Sequence, residues 1–185
     1  MTAIAGTVFI HMIILKVIAI LENTEKYSRK GNSMIYENLT SKNVDNYIQY
    51  LKKALSIEPD LMVAECVDEL GIIERLNDPF YQNTPSILAI DEGKVVGRIE
   101  YHFYGCLQDG HRMAYVDWVY VLPEYRHNGI AQQLFKEFEN ECIKHNIDQY
   151  YLIRATNPDA DNFYHSFEDV HLDDEPMLRK MFGER

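Results

Sequence analysis

The stretch Val116–Gln133, VDWVYVLPEYRHNGIAQQ, decides the reading of the fold. Val116 to Leu122 is largely apolar and predicts a strand. Pro123 stops it, because proline brings no N–H to a ladder. A short polar turn with Arg126 and Gly129 follows, and an amphipathic helix begins near Ile130. A helix N-terminus presents unpaired backbone N–H groups and the positive end of the helix dipole, which together suit a pyrophosphate. Gly129 has no Cβ, so a phosphate can come close to the backbone, and Arg126 and His127 add positive charge. The bland alternative is a glycine-containing strand–helix loop with a solvated arginine.

Arg126-His127-Asn128-Gly129-Ile130-Ala131 resembles the Arg/Gln-x-x-Gly-x-Gly/Ala motif of the GNAT superfamily of acyl-CoA-dependent N-acetyltransferases. Val121-Leu122-Pro123-Glu124-Tyr125 looks like the V-x-P-x-x segment that leads into it. The strand before and the helix after strengthen a motif that is weak alone. A second segment, Asn157-Pro158-Asp159-Ala160-Asp161-Asn162-Phe163-Tyr164, resembles the family's N-x-x-A-x-x-F/L-Y. The resemblance runs from about Met34 to Phe167.

The resemblance implies an α/β fold of the GNAT type: a central mixed, mostly antiparallel sheet flanked by helices, with splayed central strands. Here those strands are Trp118–Leu122 and Tyr150–Ala155, with pantetheine in the gap. It implies acetyl-CoA as cosubstrate, no metal, and direct acetyl transfer to a primary amine. The cofactor-binding residues it implies are Val119, Tyr120, Val121, Arg126, His127, Asn128, Gly129, Ile130, Ala131 and Asn157. The backbone N–H of Val121 or a neighbour would meet the oxyanion.

Such a transfer needs a neutral amine, a stabilised oxyanion and a proton for the leaving thiolate. Tyr164 is the implied acid, since a phenol is protonated at neutral pH. Asp117 is the candidate base or amine anchor. It interrupts an apolar strand, where alternation puts it on one face with Tyr115, Val119 and Val121, and a buried carboxylate without a partner is costly. A structural role beside Arg98 or Arg112 is the alternative, Glu100 and His102 are reserves, and water is another base.

The chain has 185 residues, enough for one domain with an appendage, and 13 Tyr and 8 Phe supply a large core. A net charge of -11 argues against nucleic acid, which needs clustered Lys and Arg. It suits a cationic substrate, although acidity for solubility explains it too. Cys66, Cys106 and Cys142 are widely spaced and suggest neither a disulfide frame nor a zinc site. Cys66 and Cys142 fall on helical apolar positions and read as buried thiols, which points to a cytoplasmic protein.

Residues 1–33 form a separate extension, and an N-acetyltransferase domain spans 34–185. Ala3 to Leu21 is apolar and nearly membrane-span length, but His11 and Lys16 interrupt it and no basic residues precede it. The extension reads as translation from a start chosen too early or as a dispensable segment; a membrane anchor and a packed element are the alternatives.

From Met34 the pattern predicts a strand, a helix N-capped at Thr40-Ser41 with Val44, Tyr47, Ile48, Leu51 and Leu55 inward, and a second helix from Pro59. That helix would bury Leu61, Ala64, Val67, Leu70 and Ile73. Tyr47, Tyr50, Phe80 and Tyr81 are candidate substrate-wall residues or plain core. Ser86–Ile90 and Val95–Tyr104 read as a hairpin around Asp91-Glu92-Gly93-Lys94, with Val96, Arg98, Glu100 and His102 on one face. Asn146 caps the helix after the motif, and Tyr150–Ile153 reads as a strand covered on both faces.

One departure stands out. After Tyr164 the family continues to a Gly-Phe pair and further strands, whereas His165–Val170 lacks the glycine. Those strands are shortened here or come from a second copy in a homodimer, and Pro176–Phe182 reads as a short helix. The rival reading is a non-catalytic acyl-CoA-binding or regulatory module on the same fold; a third is an amine-binding interaction protein. Small amines, polyamines, antibiotics, amino acids and protein lysines or N-termini are all open as acceptors.

Overall fold

The structure is a computed structural model and describes residues 34–61, 65–155, 157–168 and 170–173. Residues 1–33 and Pro176–Phe182 lie outside that range, so the expectations made for them are not addressed. The described residues fall into two compact units, one up to Tyr151 and one from Leu152 onward, each taken by itself.

The first unit is built on β1 (Ile35–Asn38), β2 (Ser86–Asp91), β3 (Lys94–Gly105), β4 (Arg112–Val121) and β5 (Gln149–Leu152), adjacent in that order. The first four pair antiparallel. β5 follows β4 through a helical crossover, the connection that neighbouring parallel strands require, so the sheet is mixed. The helices are α1 (Val44–Ile57), α2 (Glu69–Arg75) and α3 (Ile130–Lys144).

Local chemistry sets the joints. At the β2–β3 hairpin Glu92 and Gly93 both have positive φ, 48° and 77°, the backbone pattern of a type I′ turn. α1 begins three residues later than Thr40-Ser41 suggests. Asn43 accepts from the Thr40 N–H (2.8 Å) and donates to Glu37 Oε1 (2.9 Å) and Asn38 O (3.0 Å), so it ties β1 to the helix. α3 ends in a Schellman motif: Asn146 takes φ 53°, its N–H donates to Ile143 O, and the Ile147 N–H donates to Cys142 O.

Each face of the sheet packs on a different helix. Leu134, Phe135 and Phe138 of α3 cover one face, where Phe138 meets Tyr101 with ring centroids 4.8 Å apart. On the other, Tyr47, Tyr50, Leu51 and Ala54 of α1 pack with Leu88, Ile90, Val95, Tyr120 and Leu122.

Two bulges correct the simple alternation. The β2–β3 register passes from Ala89↔Gly97 to Ile90↔Val95, so Val96 is the extra residue, and Val95, not Val96, joins Arg98 on the α1 side. The β3–β4 register passes from Glu100↔Trp118 to Tyr101↔Val116, leaving Asp117 as the extra residue. Val119 and Val121 therefore pair with Ile99 and Gly97, away from the face that Asp117 shares with Tyr115 and Trp118.

Other expectations change as well. In place of one helix from Pro59 there is a 3-10 turn at Pro59–Leu61 and then α2, which buries no residue; Leu70 is 76% exposed. Ala64 lies outside the described residues. Cys66 is exposed, because it sits in the bend before α2 and not on a helix, whereas Cys142 is buried. β5 ends the strand order, and Tyr151 is exposed, so the strand is not covered on both faces. Among the described residues no helix is long and apolar enough to cross a membrane.

Candidate active site

β4 ends in a 3-10 turn, Pro123–Tyr125, stitched by Tyr125 N–H to Leu122 O (2.8 Å). His127 then takes φ 60° and Gly129 φ 76°, two left-handed residues that swing the chain into α3. Asn128 holds the loop from within, with Nδ2 donating to Tyr125 O and Arg126 O. Gly129 is the N-cap residue and has no side chain to offer. Asp68 caps α2 and Asn157 caps the short helix α4 (Pro158–Tyr164), but the first N–H groups of α3, from Ile130 and Ala131, have no such partner from their N-cap. A backbone cradle with positive dipole and no Cβ at its mouth fits a phosphate group.

Arg126 is held from the protein side of the turn. Its Nε donates to Val121 O (3.0 Å), its Nη2 pairs with Glu58 Oε1 (2.8 Å), and its guanidinium lies 5.1 Å from the Tyr120 ring centroid. It clamps the turn onto the end of α1, with Lys53 pairing to Glu124 alongside. Tyr120 is committed to the core: its ring packs on Tyr50, and its carbonyl accepts from the Tyr50 hydroxyl (2.9 Å). Its own buried hydroxyl makes no hydrogen bond of ordinary geometry, and burial first, then Glu58, raises its pKa. Tyr120 thus turns its ring to the core, while the Arg126 guanidinium stays partly exposed at the turn. Glu58 was missed in the sequence because nothing local marks a helix-end carboxylate as the partner of a residue so distant in the chain.

Asp117 is not buried. The bulge turns it outward, and its carboxylate lies 3.9 Å from His102 Nε2, so neither Arg98 nor Arg112 is its partner. Thr84 Oγ1 meets His102 Nδ1 at 3.1 Å and fixes that ring. The buried guanidinium of Arg98 instead donates to Tyr47 Oη (2.7 Å) and Glu100 Oε2 (2.8 Å) and sits 5.6 Å from the Trp118 ring. Ser86 also donates to Glu100 (3.1 Å). Burial works against the Arg98 charge, but Tyr47 and Glu100 outweigh it and hold its pKa up. Tyr47 and Tyr50 are therefore core; Phe80 is exposed and Tyr81 half-buried on a turn.

The second unit carries the other candidates. Asn157 Oδ1 accepts from the Ala160 N–H (2.9 Å) and opens α4, which leaves its amide nitrogen for other partners. Tyr164 is buried at the end of α4, and burial raises its pKa against the opposing pull of the Ala155 backbone and Arg154. It therefore holds its proton across the neutral range, as an acid must.

Family comparison agrees with this architecture. The model of the acetyltransferase (GNAT) family matches residues 50–168, and the chain belongs to that family. Among solved structures, a ribosomal-protein-alanine N-acetyltransferase from Brucella melitensis biovar Abortus 2308 is similar, with TM-score 0.64 and 18% identity over 82% of this chain and 100% of that one. An aminoglycoside acetyltransferase from an uncultured soil metagenomic sample, in complex with sisomicin, has TM-score 0.62 and 16% identity over 79% and 97% of the two chains. An aminoglycoside N-acetyltransferase in complex with CoA has TM-score 0.59 and 17% identity over 82% and 97%. At these identities the likeness is one of fold. No curated protein matches the chain.

Proposed function

We propose that this protein is a cytoplasmic N-acetyltransferase that moves an acetyl group from acetyl-CoA directly to a primary amine. The observation that carries the reading is the α3 N-terminus, opened by left-handed Gly129 after β4 and left uncapped by it in a chain of the GNAT family. The backbone of His127, Asn128, Gly129, Ile130 and Ala131 would hold the pyrophosphate, with Arg126 positioning the turn through Glu58. The backbone of Val119, Tyr120 and Val121 and the amide of Asn157 are assigned to pantetheine on the strength of the family resemblance. Bound acetyl-CoA supplies the activated acetyl group. Asp117, or water it orders, takes a proton from the ammonium; the backbone N–H of Val121 or a neighbour faces the carbonyl oxygen; Tyr164 gives its proton to the departing sulfur.

The test is release of CoA thiol on mixing the full chain with acetyl-CoA and a panel of amines. Tyr164→Phe is expected to lower turnover at least tenfold with acetyl-CoA affinity little changed, and unchanged turnover sinks the acid role. Cofactor binding without turnover on any amine would favour the non-catalytic module.

A further inference from the structure

The α1-side face of the sheet divides into two parts. At the Arg98 end it is sealed by Tyr47, Tyr50 and Trp118. Beyond Glu100 it opens into a floor of rings: His102 and Tyr115 face each other across β3 and β4, stacked at 6.2 Å and 19°. Tyr115 meets Tyr151 of β5 at 5.1 Å, and Tyr151 accepts a hydrogen bond from the Tyr104 hydroxyl (3.1 Å). Tyr104 and Tyr151 are exposed, 43% and 47%. Asp117 rises at the edge of this floor, aimed there by the bulge. The neighbouring carboxylate, Glu100, is held by Arg98 and Ser86. Asp117 has His102 as its one ion-pair partner among the described residues, at a distance longer than a direct hydrogen bond.

We infer that this floor is the acceptor subsite and that it takes an aromatic monoamine, whose ammonium meets Asp117 and whose flat body lies on Tyr115 and Tyr151. This rests on the N-acetyltransferase reading above. The charge count selects the class. Among the described residues, one floor carboxylate not held by Lys or Arg matches one ammonium, whereas a polyamine or aminosugar would leave further ammonium groups without a carboxylate. Tyrosine faces attract both a cation and an aromatic edge. The Tyr104–Tyr151 hydrogen bond fixes the floor's far edge, and burial and that bond push the Tyr104 pKa up to about 12, so Tyr104 keeps its proton at neutral pH.

Equilibrium binding to the full chain, followed calorimetrically with and without CoA, tests this with tryptamine as aromatic monoamine, spermidine as polycation and ethylamine as a cation without a ring. Tryptamine is expected to bind at least tenfold more tightly than either. Asp117→Asn should weaken it at least tenfold, Asp117→Glu should restore part of the loss, and Tyr151→Leu should weaken tryptamine about fivefold while leaving ethylamine unchanged. Tighter binding of spermidine, or tryptamine binding indifferent to both Asp117→Asn and Tyr151→Leu, overturns the inference. Thiol release from acetyl-CoA is read separately. Tryptamine binding without any acetyl transfer would remove the enzyme reading and keep the subsite; transfer to spermidine in preference to tryptamine would keep the enzyme and remove the subsite.

Discussion

The two faces of the sheet differ in kind. The α3 face is closed by rings and branched chains: Leu134, Phe135, Phe138, Ile99 and Tyr101 are all almost fully buried. The α1 face begins the same way and then changes, from the Arg98–Tyr47–Glu100 network to an open floor with Asp117. One face spends its residues on burial, worth about 25 cal/mol per Å2 of apolar surface. The other keeps polar groups and rings accessible, which contributes less stability and leaves chemistry available. Substitutions on the two faces should therefore separate stability from function.

Phe138→Ala gives the largest effect on the closed face. Removing a fully buried ring that touches Tyr101 and Tyr150 should cost about 3–5 kcal/mol in denaturant unfolding, with turnover per folded molecule unchanged. A fall in turnover at full folding would break the division. Tyr47→Phe, on the α1 face, removes one partner of a buried guanidinium and should cost about 1.5–3 kcal/mol by the same measurement. Gly129→Ala places a Cβ at φ 76°, a strain of about 1–2 kcal/mol, and should weaken acetyl-CoA at least tenfold in equilibrium binding. Undiminished affinity would sharpen attention on other parts of the turn.

Two smaller effects test burial itself. Cys66 is exposed and should react with a thiol reagent within the mixing time, whereas Cys142, whose thiol burial pushes up to about 12, should react only on unfolding. Burial also pushes Tyr36 up to about 12 from 10.0. Because the folded pKa lies above the unfolded one, that contribution is intact below pH 10 and is lost as pH rises from there towards 12. Cys142 adds an earlier loss that starts near pH 9, so denaturant midpoints should hold between pH 7 and 8 and decline by pH 11.

Much of this was legible in the chain. The apolar period of α1 and α3, the Glu92-Gly93 hairpin, the Asn146 cap and the strand–turn–helix around Gly129 all follow from local chemistry that tertiary contacts leave in place. What alternation could not foresee was the pair of bulges. An extra residue at Val96 or Asp117 leaves no mark in composition, yet it changes which face every later residue occupies, and it moved Asp117 from an expected buried site to an exposed one. The Glu58–Arg126 clamp and the Tyr104–Tyr151 contact join residues far apart in sequence, beyond any periodic signal. α2 failed for a different reason: apolar residues at helical spacing predict an inward stripe only if something lies opposite, and Leu70 meets solvent.

The most direct test of the acetyl-CoA reading is thermal unfolding of the full chain with acetyl-CoA and, as control, with AMP. Ligand at one hundred times its dissociation constant stabilises by about 2.7 kcal/mol. For a chain of this size that is a midpoint rise of roughly 5–10 °C. The expected result is that rise with acetyl-CoA, none with AMP, and a rise cut by about half or more in Gly129→Ala at the same ligand concentration. No rise with acetyl-CoA would contradict it and make the Arg126–Ala131 turn scaffold alone.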